Sequence, residues 1–238
     1  MSTPQRTGPN GSNNTVVGTT LDMLGTMDPT KYIAFFDDFL GYDLADWLIT
    51  TTEAAGAATE LTINGHGGLL QITNGTADND LDFLQWKGGT SSTPNETFLF
   101  TAGKKAWFKA RLKVSDATES EFVVGLQITD TTVLAVTDGV FFQKDDGDAL
   151  LDFHVEKNST QTDATGIHTV VADTFLVVGF YYDGVSAIKY YVDDVHKGTT
   201  VTTNLPDDEE LTVSFGIQNG EAAAKVLTID YIFAAMER

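Results

Sequence analysis

The 238-residue chain contains no cysteine, which excludes disulfide bonds, thiolate metal sites and cysteine nucleophiles. It also lacks any apolar run near the ~18 residues that a membrane-spanning helix needs. Its first residues do not place a basic stretch before an apolar one, as a secretory signal does. We therefore expect a soluble, unprocessed chain that is made in the cytoplasm of its host and has no membrane partner.

Positive charge is scarce. The chain has 14 Lys and Arg against 34 Asp and Glu, for a net charge of −20 at pH 7. Binding to a phosphate backbone depends on Lys and Arg side chains that displace condensed counterions. The sequence therefore predicts no nucleic-acid partner.

Residues 1–31 contain no aromatic residue but hold three of the five prolines. The side-chain charges of this segment cancel, so the whole net charge belongs to residues 32–238. This composition cannot form a core of its own and predicts an extended N-terminal arm. The arm is either a frayed terminus or a segment that becomes ordered when it binds a partner. In the second case its apolar side chains would make the contact, namely Val16, Val17, Leu21, Met23, Leu24 and Met27.

From Tyr32 onward the sequence pattern is typical of β-strands. In Trp107–Val114 apolar and basic residues alternate, which puts Phe108 on a dry face and Lys109 on a wet one. Helical periodicity is nearly missing, and Gly, Asp and Asn clusters mark turns between the runs. Residues 32–238 are therefore predicted to form one all-β domain, an antiparallel two-sheet jelly-roll sandwich. The other predicted strands are Ile33–Leu40, Glu60–Ile63, Gly68–Thr73, Phe83–Lys87, Thr97–Thr101, Phe122–Thr129, Gly139–Lys144, Ala149–Glu156, Phe175–Tyr182, Ala187–Val192, Leu211–Gln218 and Val226–Phe233.

Alternating acids offer one candidate set of metal ligands. Asp78, Asp80 and Asp82 would point the same way on an extended segment, as oxygen ligands of Ca²⁺ can. The EF-hand pattern fails, because Phe83 occupies the position that needs glycine. A solvated acidic loop is the alternative, and we predict neither a metal ion nor another cofactor.

Catalytic motifs are missing from the sequence. A glycosidase on such a sandwich would need two carboxylates close together on a strand, and the nearest match, Glu119 and Glu121, is expected in a turn after Asp116. The four histidines show no pair at ligand spacing, and no nucleophile elbow or phosphate-binding loop occurs. The sequence therefore predicts a protein that is not an enzyme.

Three aromatic residues are candidates for contact with another molecule. Trp107 and Tyr191 are expected to share strand faces with basic side chains, and Tyr181 lies in a strand that is apolar on both faces. Each could stack on a sugar ring or lie at a subunit interface, where amphipathic aromatics are enriched. Ordinary packing is the third interpretation.

Several stretches together resemble the LamG-like, concanavalin A-type jelly-roll domains that decorate the capsids of tailed bacteriophages. The resemblance covers most of residues 32–238, and its Tyr-Val-Asp hairpin is shared widely among jelly-roll lectin domains. The stretches that carry it are Phe36–Gly41, Thr101–Phe108, Val178–Gly184, Tyr190–Asp194, Leu205–Leu211, Gln218–Lys225 and Leu227–Ile232.

This resemblance implies a structural virion protein on the outer capsid surface, which stabilises the head by bridging subunits of the major capsid protein. A shell packed with DNA repels a body of charge −20, which agrees with an exterior position. Residues 1–31 would be the tether, and the body would form a homo-oligomer, with a trimer preferred over a dimer. The alternative is a carbohydrate-binding, lectin-like head-fibre or tail appendage for host attachment.

Overall fold

The computed structural model describes residues 30–65, 67–88 and 95–238. These residues form 15 strands and one short 3₁₀ turn, Leu44–Asp46, and no α-helix occurs among them. The strands are β1 Tyr32–Asp37, β2 Trp47–Thr52, β3 Thr59–Ile63, β4 Leu69–Thr73, β5 Leu81–Trp86, β6 Ala106–Val114, β7 Ser120–Gln127, β8 Gly139–Lys144, β9 Leu150–Lys157, β10 Thr160–Thr169, β11 Leu176–Tyr182, β12 Ala187–Val192, β13 Val195–Val201, β14 Thr212–Asn219 and β15 Val226–Glu237.

The strands build two antiparallel sheets, which confirms the predicted all-β jelly-roll sandwich. Sheet A has the order β13-β12-β11-β6-β15-β4-β3, and β1 pairs with the part of β15 that β4 leaves free. Sheet B has the order β10-β9-β8-β7-β14-β5-β2. Both sheets leave edge strands without a neighbour among the described residues, and each sheet has one face toward the core and one outer face.

The core lies between the sheets because one face of nearly every central strand is apolar. In β6 the inward residues Phe108, Ala110 and Leu112 are fully buried. The Phe108 ring stacks on Phe180 of the same sheet at 5.4 Å, and Phe153 of sheet B contacts Phe180 at 5.9 Å. Burial of each such ring stabilises the fold by roughly 1.5–3 kcal/mol.

Tight hairpins join neighbouring strands where the sequence offers residues that accept positive φ. Asp193 and Asp194 have φ of 52° and 60° between β12 and β13, and Asn158 and Ser159 have 50° and 58° between β9 and β10. Two-residue hairpin turns need this left-handed conformation, which Asn and Asp adopt more readily than most residues.

Two features of the strand pattern differ from the prediction. Thr97–Thr101 is not a strand, since its only bridge joins Phe98 to Leu211; Phe98 and Phe100 alternate because both enter the core. Strands β2, β10 and β13 were not predicted, and all three are edge strands. No helix of the described residues has the length and apolar character to cross a bilayer.

Candidate functional site

The structure brings the three candidate aromatics together on the outer face of sheet A. Trp107 lies beside Tyr181, with ring centroids 5.7 Å apart, and Tyr32 covers Trp107 at 6.0 Å. Trp107, Tyr181 and Tyr191 belong to one cluster with Ala235 and are only 1%, 5% and 4% exposed. They are packed against protein in this conformation, so none presents an open ring face for stacking on a sugar.

Basic side chains occupy the rest of that face, next to the aromatic cluster. Lys109 binds Asp194 at 2.6 Å, and Arg111 forms an ion pair with Asp230. The Arg111 guanidinium also lies 4.0 Å from the centre of the Phe175 ring, a cation–π contact. Lys109 and Arg111 of β6 are therefore already paired with groups of the same chain.

The outer face of sheet B carries a second group of polar residues that sequence reasoning missed. The His154 ring of β9 contacts the Phe141 ring of β8 at a tilt of 30°, with centroids 5.2 Å apart, and its Nδ1 lies 2.8 Å from the Asp163 carboxylate on β10. Two residues further along β9, Glu156 accepts a hydrogen bond from Gln161 at 3.0 Å. Burial raises the pKa of Glu156. The alternation of Asp152, His154 and Glu156 in the sequence is a signal that could have placed them on one face.

Glu121 belongs to the same outer face, because β7 begins at Ser120. Its expected place in a turn was therefore wrong. Glu121 accepts a hydrogen bond from Gln143 at 2.9 Å. Burial, followed by the nearby charge of Asp145, raises the pKa of Glu121 to about 7, so this carboxyl group can exchange a proton near neutral pH.

The two glutamates of this face do not form a glycosidase pair. Glu156 is opposite Gly139, and Gly139 is opposite Gln127, which lies six residues from Glu121 on β7. Six residues of strand span about 20 Å, whereas paired catalytic carboxylates lie about 5–9.5 Å apart. Glu121 and Glu156 cannot act on one glycosidic bond.

A loop covers the middle of the sheet B outer face. Val133 and Val136 of residues 128–138 are 2% exposed and pack with Phe83, Val123 and Phe141. The amide of Gln127 donates to the Val133 carbonyl at 3.1 Å, which fixes the loop to the sheet. The polar residues described above therefore lie at the margin of a covered face and not in an open groove.

The three alternating acids do not share one environment. Asn79 has a φ of 62°, which interrupts the extended backbone that alternation requires. Asp78 is exposed, whereas Asp80 and Asp82 are fully buried. Asp80 accepts backbone hydrogen bonds from Ala54 at 2.6 Å and Ala77 at 2.9 Å, and those bonds hold the pKa of its carboxyl below the ordinary value. Asp80 therefore fixes a loop, and the expectation that the three carboxylates face one way was wrong.

Asp82 faces the core on β5, near Glu60 of β3. Both oxygens of Asp82 are buried without a hydrogen-bond partner among the described residues. Burial, the neighbouring Glu60 and the charge of Glu53 raise the pKa of Asp82 to about 9. Across the described ranges, no three His, Asp or Glu side chains converge closely enough to hold a metal ion.

The predicted arm contacts lie outside the described residues. These are Val16, Val17, Leu21, Met23, Leu24 and Met27. The division into an arm, 1–31, and a domain, 32–238, stays a prediction, although β1 begins at Tyr32.

Comparison with protein-family models gives no match, and comparison with curated protein sequences gives none either. Solved structures share the fold. A protein of unknown function from Shewanella oneidensis MR-1 superposes with a TM-score of 0.59 at 14% identity, over 90% of this chain and 95% of that one. A glycoside hydrolase family 16 endo-glucanase from Bacteroides ovatus gives 0.57 at 12% identity, over 83% and 98%. Peanut lectin gives 0.52 at 10% identity, over 87% and 98%. The chain has the concanavalin A-like jelly-roll fold of lectins and glycoside hydrolases.

Proposed function

We propose that this protein is a non-catalytic virion component that decorates the outer capsid surface, with residues 1–31 as its tether to the major capsid protein. The supporting observation is the way in which the arm joins the body. All six residues of β1 pair in register with β15, from Tyr32 opposite Glu237 to Asp37 opposite Ile232. A pull on the arm along β1 loads these inter-strand hydrogen bonds together, because they run perpendicular to the strands.

Side chains lock the same junction. Phe35 of β1 is buried between Trp47, at 6.0 Å, and Trp86, at 4.9 Å. Arg238 donates through Nε to the Tyr32 carbonyl at 3.2 Å, and Lys104 donates to the Arg238 carbonyl. The first strand is thus fixed to both sheets at the point where the arm ends, as a tether under tension requires.

The charge of the body supports an exterior position. The net charge of −20 disfavours contact with packaged DNA. A loop covers the outer face of sheet B, and the Lys and Arg side chains of β6 are paired with acids of the same chain. Both observations favour attachment to the capsid through the arm and not through the body. Several weakly bound arms on one oligomer would raise the avidity by ~10²–10⁴.

The test compares the full chain with a variant in which the six apolar arm residues are replaced by serine. Both proteins are mixed with expanded, undecorated heads, and occupancy is measured by cryo-electron microscopy. We expect equal thermal stability but much lower occupancy for the variant. A chain that begins at Tyr32 serves as the second variant, and undiminished decoration by either one would refute the arm as tether.

A second candidate function is carbohydrate binding on a head fibre or tail appendage. It is favoured by the fold shared with a lectin and with a glycoside hydrolase. Because the aromatic cluster is buried, the sugar would contact the polar margin of sheet B around Gln143 and His154. Glycan-array binding by the wild type that is lost in His154→Ala would favour this candidate, and decoration of heads without sugar binding would favour the first.

A further inference from the structure

The chain contains four Asn-Gly and three Asp-Gly pairs, at which a protein backbone can modify itself. In an Asn-Gly pair, the backbone nitrogen of the glycine attacks the side-chain carbonyl carbon of the asparagine. The new carbon–nitrogen bond closes a succinimide ring, and the side-chain nitrogen takes up the glycine proton and leaves as ammonia. Water then opens the ring to aspartate or isoaspartate. Glycine favours this reaction because it has no side chain in the way and few restrictions on its backbone.

The fold blocks the reaction at two buried asparagines. Asn74 and Asn219 are 3% and 1% exposed, and each side-chain amide donates to two backbone carbonyls. The attacking nitrogens are also occupied, because the Gly75 N–H donates to a carboxylate at 2.9 Å and the Gly220 N–H to a carbonyl at 3.1 Å. Neither asparagine can react without local unfolding.

The Asp-Gly pairs, which form the same ring with loss of water, are held as well. Asp138 is 3% exposed and accepts a backbone hydrogen bond at 3.0 Å. Asp183 accepts from three backbone N–H groups at 2.8 to 3.1 Å. After Asp146, the Gly147 N–H donates to the Thr118 carbonyl at 2.9 Å. In each pair, hydrogen bonding thus restrains the side chain or occupies the attacking nitrogen.

The Asn64-Gly65 pair differs from all of these. Both residues are exposed in the connection between β3 and β4. Among the described residues, neither the Asn64 side chain nor the Gly65 N–H has a hydrogen-bond partner. We propose that Asn64 is a site of spontaneous deamidation in the native protein, where Gly65 converts it to aspartate and isoaspartate while the fold protects the buried pairs. The fourth pair, Asn10-Gly11, lies outside the described residues.

The surroundings of this connection make the modification costly for the fold. Gly67 and Gly68 have φ of 101° and 137°, and a Cβ atom at position 68 would lie 2.5 Å from the Asp38 carbonyl oxygen. The connection therefore packs closely on the segment that follows β1, whereas isoaspartate adds a methylene to its backbone. The new carboxylate also joins a chain of net charge −20, near Asp38 and Asp230. We expect the converted protein to be less stable.

The first experiment incubates the full-length protein at pH 8 and follows each Asn-Gly peptide by mass spectrometry after rapid digestion. Conversion raises the peptide mass by about 1 Da, the difference between an amide and an acid. We expect Asn64 to convert at least about tenfold faster than Asn74 and Asn219, because these two need local unfolding first. In urea the three peptides should convert at similar rates. A native rate for Asn64 no higher than that of the buried pairs would overturn the proposal.

The second experiment uses Asn64→Gln as the matched control, because its longer side chain closes a less favourable ring. An isoaspartate methyltransferase should label the residue-64 peptide of the aged wild type but not that of the aged variant. The melting temperature should fall by a few degrees on ageing of the wild type alone. Asn64→Asp adds the charge without the extra backbone atom and should lose less. A wild type that converts at Asn64 yet melts like fresh protein would contradict the expected destabilisation.

Discussion

At the scale of single residues, Asp82 is a buried acid whose protonation couples the stability of the fold to pH. A fully buried carboxyl without a hydrogen-bond partner lies near Glu60, and burial together with that neighbour raises its pKa to about 9. An unfolded aspartate has a pKa of about 3.9. Folding at neutral pH therefore requires Asp82 to take up a proton, and its stabilising contribution is complete below about pH 4 and declines as the pH rises toward 9.

Asp82→Asn is expected to raise the melting temperature at pH 8 by several degrees, since about 1 kcal/mol shifts a domain of this size by roughly 2–4 °C. The gain should vanish toward pH 4, where both states of the wild type are protonated. Thermal unfolding monitored between pH 4 and 9 measures this, with the exposed Asp78→Asn as control. A gain that does not depend on pH would mean that Asp82 is ionised in the folded protein.

The sequence predicted the direction of the Trp107 side chain in the candidate site but not its burial. The alternation in Trp107–Val114 identified the inward residues, and Trp107 was assigned to the wet face because Lys109 and Arg111 share it. Trp107 does point outward, yet Tyr32 and Tyr181 bury it. A period of two shows which face of the sheet a side chain is on, but it does not show which residues of other strands cover that side chain.

At the scale of elements, glycine in the middle of sheet B makes room for the covered face. Gly125 of β7 is opposite Phe141 of β8. A Cβ atom at position 125 would lie 2.5 Å from the Cα of Phe141 and 2.6 Å from the Val140 carbonyl oxygen. Both are backbone atoms of a central strand and cannot give way easily.

Gly125→Ala should therefore lower the free energy of unfolding by roughly 1–3 kcal/mol, the usual cost of an overpacked core. Gly41→Ala is the matched control, because no atom lies within 4 Å of a Cβ built there. Urea denaturation of the three proteins measures the difference. Equal midpoints for both variants would show that β7 and β8 can separate without cost.

Central strands were predictable from the sequence, whereas the edge strands β2, β10 and β13 were not. Strands such as β6, β8 and β12 bury one or both faces, so their apolar residues stand out. Edge strands β10 and β13 are mostly exposed and rich in threonine, so their pattern resembles that of a loop. These strands are held by backbone hydrogen bonds to a neighbouring strand, and such bonds require no alternation of apolar and polar residues in the sequence.

At the scale of the whole molecule, charge is divided between the two sheets. Within the strands, Lys109, Arg111, Lys113 and Lys189 alternate with inward residues and lie on the outer face of sheet A. The corresponding face of sheet B carries Glu121, Asp152, Glu156 and Asp163, and no Lys or Arg occurs among the outward residues of its described strands. Electrostatic repulsion between carboxylates is therefore strongest on the outer face of sheet B and in the loops around it.

This self-repulsion predicts that salt stabilises the fold. Raising the ionic strength from 0.01 to 0.15 M shortens the Debye length from about 30 to about 8 Å, which screens most pairs of surface carboxylates. The melting temperature in NaCl should rise by a few degrees, and KCl should act equally. CaCl₂ at matched ionic strength is the critical comparison, measured by differential scanning calorimetry. A much larger gain with Ca²⁺, lost on chelation, would mean that acids such as Asp78 gather around a specific cation and that general screening is not the cause.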